Sequence, residues 1–281
     1  MKKLSLIILL LVTTVTANTQ NLQVTLFGGF SNYQGDLQDK RFTLNQSHPA
    51  AGVGFIYDIT DKFSARANIN FGKVSGSDIY NSKNTVRNLS FSSPITDIHL
   101  GVEYNILNLY EHSLSPYIFA GLSYFSFNPS TKDTAGNKVF LQPLSTEGQG
   151  FYQGRKQYNL HQFAIPFGAG VKLALSENLR VAFEIGLRKT NTDYLDDVST
   201  TYIDQATLLA NRGQQAVDIA FRGDELKTGL VYPADGSQRG GANSKDWYYF
   251  SGITLAIRLP GNENKGASGG KSKTGCPTRV Y

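Results

Sequence analysis

Strict alternation of apolar and polar side chains is the feature of this sequence that most limits its possible folds. Successive side chains of a β-strand point to opposite faces, so a period of two residues predicts strands with one apolar and one polar face. Stretches 98–104 and 179–188 both show this period. It is clearest in 63–72, where Phe63, Ala65, Ala67, Ile69 and Phe71 alternate with Ser64, Arg66, Asn68, Asn70 and Gly72.

If this chain lies in a membrane, it must cross it with strands. Its apolar runs are shorter than the roughly 20 residues that a membrane-spanning helix needs, and a bilayer admits only helices and closed barrels. The sequence has 28 Gly, 15 Tyr and 17 Phe, and a mean hydropathy of only -0.26. Barrels have moderate hydropathy because every second residue faces a polar interior. Composition alone leaves a soluble β-sandwich as an alternative.

The lengths of the connections favour the barrel. Five further segments bring the count to eight strands: 22–31, 51–59, 117–127, 163–175 and 247–259. Short turns at 60–62, 109–116 and 176–178 alternate with longer loops at 34–47, 74–90, 128–160 and 189–245. In outer-membrane barrels the short turns are periplasmic and the long loops extracellular. The prediction is therefore an all-β fold, an eight-stranded antiparallel transmembrane β-barrel of the outer membrane, with both mature termini in the periplasm.

The N-terminus reads as an export signal. Met1-Lys2-Lys3 is followed by the apolar run Leu4–Val12 and by small residues ending at Ala17, which is the layout of a secretory signal peptide. We expect residues 1–17 to be the signal peptide, 18–260 the barrel and 261–281 a flexible periplasmic tail. No cysteine directly follows Ala17, so an N-terminal lipid anchor is not expected.

The polar face of the predicted strands is rich in charge. Eight strands leave room inside a barrel only for side chains or one small ligand, so charges of both signs should pair there and fill the lumen. We therefore expect no open pore, although an ion pathway or an acid-base site is the functional alternative. The predicted lumen charges are Arg66, Asp97, Glu103, Lys172, Arg180, Glu184, Arg188 and Arg258, with His99 among them.

Sequence patterns of catalysis and cofactor binding are weak. The four histidines have no metal-ligand spacing, and no nucleophile elbow or phosphate-binding loop occurs, so neither catalytic residues nor a cofactor are predicted. The net charge of +5 comes without a basic run, which argues against nucleic acid. His161 with Ser123 or Ser126 could imitate the rim site of a lipid-modifying barrel, but a lone rim histidine is more often only solvated.

The aspartate-rich stretch 190–204, just beyond the seventh strand, is unusual. Asp, Asn and Thr side chains bond to the local backbone, so a solvated loop start is the simple interpretation. A structured loop that caps the barrel, with or without calcium, is the alternative, although the spacing is not that of an EF-hand.

Two motifs carry a resemblance to a known family. Asn32-Tyr33-Gln34-Gly35-Asp36-Leu37 leaves the first strand, and 188–204 leaves the seventh, with Thr192-Asp193-Tyr194-Leu195-Asp196-Asp197 as its most specific part. Together with the eight-strand plan and the Cys276-Pro277 tail, they make the chain resemble the PorG-type outer-membrane barrels of the DUF6089 family. The motif residues in this sequence are Tyr33, Gly35, Asp36, Asp193, Tyr194, Asp196 and Asp197.

The resemblance implies a component of the type IX protein secretion system, which also supports gliding motility in some bacteria. In that system the barrel associates with the periplasmic ring formed by PorK and PorN. The resemblance thus implies these ring proteins as partners, alongside outer-membrane lipid.

The C-terminal segment is a candidate attachment point. Residues 261–275 are rich in Gly, Ser, Lys and Asn, a composition typical of flexible linkers. We expect the end of the chain to be a docking peptide, although a loose terminus without a role is the alternative. Because Cys276 is the single cysteine, it could form only an intermolecular disulfide. The predicted partner-binding residues are Cys276, Pro277, Arg279 and Tyr281.

The expected function is a non-enzymatic scaffold that seats secretion machinery in the outer membrane. The alternatives are a structural or adhesin-like surface barrel, whose loops 128–160 and 189–245 would bind, and a lipid-modifying enzyme dependent on His161.

Overall fold

The computed structural model describes residues 21–38, 40, 43–80, 84–226, 230–242 and 244–259. The predicted signal peptide, residues 1–17, and the predicted tail, residues 261–281, lie outside the described residues. Within the described ranges, no helix has both the length and the apolar character needed to cross a bilayer.

Eight antiparallel strands form a closed barrel, which confirms the predicted fold class. The strands are β1 (Leu22–Gln34), β2 (His48–Asp58), β3 (Phe63–Ser77), β4 (Ser90–Asn105), β5 (Leu114–Phe127), β8 (His161–Ala174), β9 (Leu179–Thr190) and β10 (Trp247–Arg258). Each strand pairs with its neighbours in the order β3-β2-β1-β10-β9-β8-β5-β4, and pairing of β3 with β4 closes the sheet.

The two ends of the barrel differ. The connections 59–62, 106–113 and 175–178 are short and lie at the end where β1 starts and β10 finishes, which we call the short-turn end. The opposite, loop end carries 35–47, 78–89, 128–160 and 191–246, and the described residues of these four segments are called the cap.

The strands run further into the cap than predicted. The loop expected at 74–90 is in fact 78–89, because β3 continues to Ser77 and β4 begins at Ser90. The alternation of apolar and polar side chains continues there, but the apolar side chains now point inward. Val74, Phe91 and Ile95 point inward and are at most 3% exposed. A prediction based on strands with apolar outer faces therefore ends β3 and β4 too early at the loop end.

The outer surface of the barrel is apolar along its middle. The side chains there that point outward are large and about half exposed, whereas the alternate positions that point inward are buried and largely polar. Examples of the outward set are Phe55, Leu100, Ile118, Phe163, Phe183 and Ile253, which are between 52% and 60% exposed.

The cap has its own secondary structure. Strands β6 (Ser130–Lys132) and β7 (Lys138–Phe140) form a hairpin joined to β4 through the pairing of Ser92 with Ser130. Helices α1 (Gln205–Arg212) and α2 (Gln214–Ala220) are separated by Gly213. Asp204 caps α1 by accepting a hydrogen bond from the Thr207 amide at 2.8 Å. The helices bury a small apolar core of Ile203, Leu208, Ala216, Val217 and Ala220.

Glycine pairs let large inward side chains fit in the narrow barrel. Gly168 and Gly186 face each other on β8 and β9, and the Phe119 ring packs against both of them. A Cβ atom at Gly168 would lie 2.6 Å from Phe119 Cζ, whereas one at Gly28 would meet no described atom within 4 Å.

We therefore predict that Gly168→Val destabilises the barrel by about 1–3 kcal/mol through overpacking. Gly28→Val is the matched control and should change stability little, because its side chain would enter open space. Urea unfolding of the refolded barrel measures both variants. Equal unfolding midpoints for the two would contradict the packing argument.

Candidate functional site

The lumen holds a set of ion pairs in three layers, which we call the lumen network. In the layer nearest the short-turn end, Asp58 of β2 lies 3.0 Å from Arg180 and 3.4 Å from Arg258. Arg258 also donates to the Tyr110 hydroxyl at 2.8 Å, and both guanidinium groups lie over the Tyr110 ring. Asp58 was not predicted as a member, although it lies inside the predicted strand 51–59.

The middle layer joins Arg66 to two carboxylates. Arg66 lies 3.1 Å from Glu184 and 3.8 Å from Glu103, and Lys172 forms a close ion pair with Glu103. The Tyr117 hydroxyl donates to Glu184 at 2.7 Å. Each of the four charged side chains is less than a tenth exposed.

The upper layer is centred on Asp97, which is fully buried. Asp97 lies 3.6 Å from Arg188 and accepts hydrogen bonds from Ser123 and, at 2.7 Å, from Tyr248. His99 is buried nearby beside Phe119, and neither ring nitrogen has a hydrogen-bond partner among the described residues.

These contacts bring all eight predicted lumen charges into ion pairs inside the barrel. The space left between the lower and middle layers is a cavity of about 10 Å³, roughly that of one water. The described lumen is therefore filled by side chains.

Removing one charge from the upper layer would leave Arg188 buried without its carboxylate. We predict that Asp97→Asn costs about 3–5 kcal/mol of barrel stability. Asp61→Asn, an exposed substitution in the β2–β3 turn, is the control and should stay within about 0.5 kcal/mol. The midpoint of the heat-dependent mobility shift on gels gives a direct readout. A shift for Asp97→Asn no larger than that of the control would refute the role of the pair.

The two family motifs meet in the cap, although they are far apart in sequence. The Tyr33 hydroxyl lies 2.5 Å from Asp196 Oδ2 and 3.1 Å from Asp246 Oδ1. The amides of Val198 and Leu195 donate to Asp196 and Asp246, each at 2.9 Å. The Tyr33 hydroxyl has one proton, so it can donate fully to only one of the two carboxyl groups at a time. Burial and neighbouring carboxylates raise the pKa of Asp196 and Asp246 well above the usual value.

Gly35 and Asp36 hold the first loop against the last. A Cβ atom at Gly35 would collide with the Tyr33 ring and the Asp246 carboxyl, so this close approach requires glycine. Asp36 Oδ2 accepts from the Gly241 amide at 2.8 Å, and Arg87 Nη2 donates to the Asp36 carbonyl at 3.2 Å.

Tyr194 and Asp197 tie the seventh-strand motif to the loop 128–160, whereas Asp193 bonds within the motif. The Asp197 carboxylate accepts from Thr146 at 2.5 Å and from Tyr158 at 2.7 Å, and the Tyr158 ring stacks on Tyr194 at 4.8 Å. Asp197 has a φ of 66°, a left-handed conformation that Asp tolerates better than most residues. Asp193 accepts from the Ser199 hydroxyl at 2.7 Å.

Two arginines that the sequence did not single out complete the cap. Arg239 lies 3.0 Å from Glu147 and donates to the Asp197 carbonyl at 2.6 Å. Arg87 lies 2.7 Å from Asp78 and also donates to the Arg239 carbonyl. They occur in segments without periodicity, and their partners are distant in sequence, so no local pattern identifies them.

The stretch 190–204 therefore has the geometry of a structured loop that caps the barrel. None of the described residues forms a group of three or more His, Cys, Asp or Glu side chains that could hold a metal ion. Of the two candidate rim serines, Ser123 points into the lumen toward Asp97, whereas His161 is exposed and stacks on Tyr124 at 6.1 Å. Ser126 pairs with His161 only through the strand register.

The cap should loosen as the pH rises. Burial raises the pKa of both Asp193 and Asp197 to about 6, above the value of about 3.9 in an unfolded chain. A carboxyl group whose pKa is higher in the folded state stabilises that state fully when the pH is below the pKa of the unfolded chain. This stabilisation is lost as the pH rises through the pKa of the folded state. We predict that amide protection in 193–199, corrected for intrinsic exchange, falls by about tenfold or more between pH 5 and pH 8.

Hydrogen exchange with mass spectrometry measures this, with the strand amides of the same barrel as internal reference. Asp197→Asn keeps the side-chain size and the left-handed backbone but cannot ionise, so its pH dependence should be shallower. Protection that rises with pH would contradict the assignment.

One family model and several solved structures are similar to this chain. A family model described as "Domain of unknown function (DUF6089)" matches residues 2–210. No curated protein matches the chain. Neisserial surface protein A (NspA) is similar in structure, with a TM-score of 0.43, 9% identity, and coverage of 85% of this chain and 97% of that chain. Ail, the attachment invasion locus protein of Yersinia pestis, has a TM-score of 0.41 and 8% identity, with coverage of 85% of this chain and 97% of that chain. A major outer membrane protein from Thermus thermophilus has a TM-score of 0.40 and 12% identity, with coverage of 85% of this chain and 99% of that chain.

Proposed function

The chain belongs to the DUF6089 family, and we propose that it is a non-enzymatic scaffold of the type IX protein secretion system in the outer membrane. The secretion role rests on the resemblance of its Tyr33–Asp36 and Asp193–Asp197 motifs to the PorG-type barrels. Its attachment to the periplasmic PorK/PorN ring is part of the same proposal.

The filled lumen is the observation that carries the scaffold role. Paired charges occupy the barrel in three layers, and the cavity between two of them has room for about one water. A protein of this form is poorly suited to conduct solutes. In this proposal it acts on other molecules through its two ends.

The apolar middle of the outer surface supports placement in a bilayer. Outward side chains such as Leu100 and Ile253 are more than half exposed, which would be unfavourable in water over so large a continuous band. Closure of the sheet leaves no unpaired edge, as the bilayer interior requires. We infer that the short-turn end faces the periplasm, as in outer-membrane barrels generally.

The β4–β5 turn is the part of the short-turn end that best suits a protein contact. Ile106, Leu107 and Tyr110 are 46%, 37% and 38% exposed, and the bond from Arg258 to the Tyr110 hydroxyl holds this turn in place. We propose that the ring binds here and through the tail residues Cys276, Pro277, Arg279 and Tyr281, which lie outside the described residues. We further propose that Cys276 forms an intermolecular disulfide with a partner.

A surface-binding or adhesin-like role is the second candidate. It is favoured by the cap, whose loops are joined by buried hydrogen bonds such as those of Arg239 and Tyr33. Ordered loops lower the entropy lost on binding a partner.

Affinity purification from gently solubilised outer membranes tests the scaffold role. An epitope tag in the exposed turn at Gly136 leaves both ends of the chain free. We expect the full-length protein to co-purify the PorK/PorN proteins. Deletion of 261–281 should leave the barrel inserted and reduce ring recovery by at least about tenfold, the equivalent of about 1.4 kcal/mol.

A variant with residues 276–281 in scrambled order keeps the length and composition of the tail and is the matched control. It should reduce ring recovery as the deletion does. Retention of the ring by the deletion variant would refute docking through the tail. Absence of the ring from the full-length sample, even after cross-linking, would refute the scaffold proposal. For the disulfide, a higher band on non-reducing gels should disappear in Cys276→Ser.

A further inference from the structure

A cavity of about 320 Å³ lies in the cap, between the β1–β2, β3–β4 and β9–β10 loops. This volume is at the lower end of the roughly 300–1,000 Å³ typical of small-molecule sites. Val86, at 59% exposure, and the exposed Gln238 belong to its lining, so the cavity is reached from the outer surface of the cap. The proposed secretion role does not use this cavity.

The inner wall of the cavity is rigid. Arg87 is fixed by Asp78 at 2.7 Å, and Arg239 by Glu147 at 3.0 Å. The rings of Tyr202 and Phe221, which also line the cavity, pack edge to face with centroids 6.0 Å apart. A pocket with walls already in place loses little entropy when a ligand binds.

Several polar groups in the lining retain hydrogen-bonding capacity. Among the described residues, none forms a hydrogen bond with the Asn84 side-chain amide, the Tyr202 hydroxyl or Arg239 Nη2. Gln238 uses its amide nitrogen to bond the Gly240 carbonyl at 3.1 Å, which leaves its amide oxygen to accept. The cavity therefore offers donors and acceptors together, on planar side chains and a phenol.

The charges of the lining disfavour an ionic ligand. The Asp36 carboxyl would oppose an anion, whereas the Arg87 and Arg239 guanidinium groups would oppose a cation. A sugar ring fits this combination, since each hydroxyl both donates and accepts while the C–H groups pack on aromatic and aliphatic surface. Tyr202, Phe221 and Val86 provide that surface.

The geometry points to a binding site for a neutral carbohydrate in this cap cavity, recognised by Asn84, Tyr202, Gln238 and Arg239. The small volume limits the bound portion to a terminal part of a glycan. The ligand could come from bacterial surface polysaccharide or from an environmental polysaccharide, since both present the same neutral sugar rings.

A glycan array probed with the detergent-solubilised full-length protein tests the site. The array carries neutral oligosaccharides from bacterial surface polymers in one arm and from plant and animal polysaccharides in the other, so it separates the two sources. Sulfated and carboxylated glycans are included as anionic competitors. We expect saturable binding to at least one neutral glycan, unaffected by moderate salt.

Variants at the exposed part of the lining connect binding to the cavity. Asn84→Ala and Gln238→Ala should each weaken binding by about three- to tenfold, the loss expected for one or two hydrogen bonds. Val86→Trp should abolish binding by filling the mouth of the cavity. Asn211→Ala, at an exposed α1 position outside the lining, is the matched control and should bind normally.

The heat-dependent mobility shift and the hydrogen exchange of the cap show whether each variant is folded. The proposal would be overturned if no neutral glycan binds, or if only anionic glycans bind and salt removes them. Equal affinity of the folded Asn84→Ala, Gln238→Ala and Asn211→Ala proteins would overturn it as well. None of these results bears on ring recovery, so this proposal and the scaffold role fail separately.

Discussion

Closure of the sheet by the pairing of β3 with β4 is the constraint on which the rest of the structure depends. A closed barrel of eight strands has a bore that only side chains can fill, so inward charges on opposite walls must lie within ion-pair distance. Asp58 and Arg180, 122 positions apart in sequence, meet for this reason. The same closure pairs every strand on both sides, which allows the outer face to be apolar without an exposed edge.

Two opposite patterns of alternation divide the barrel along its axis. Near the short turns and in the middle, apolar side chains point outward and polar ones inward, whereas at the loop end Val74, Phe91 and Ile95 point inward. These inward apolar residues belong to one core with Leu195, Val198 and Ile219 of the cap. The cap is therefore packed onto the strands by burial of apolar surface, and the Tyr33, Asp196 and Asp246 contacts fix its geometry.

The sequence predicts what depends on local pattern. Period-two alternation and turn spacing identified the eight strands, and polar inward positions identified Arg66, Glu103 and Glu184. The cap contacts depend on distant segments: Arg239 and Glu147 are 92 positions apart, and Tyr33 and Asp246 are 213 apart. Neither Arg239 nor Glu147 lies on a periodic element, so no residue pattern indicates that they meet. The family motifs named Tyr33 and Asp196, but only the fold shows that their side chains are in contact.

The filled lumen also separates the two ends of the molecule energetically. A ligand shifts a conformational equilibrium only when it binds one state better than another, and transmission through the barrel would need an element with two arrangements. The three layers of ion pairs offer no such element, because moving Asp97 or Glu103 would leave buried Arg188 or Lys172 without its carboxylate. The proposed binding in the cap and the proposed assembly at the short-turn end are therefore expected to proceed independently, because the barrel between them is a shared rigid support.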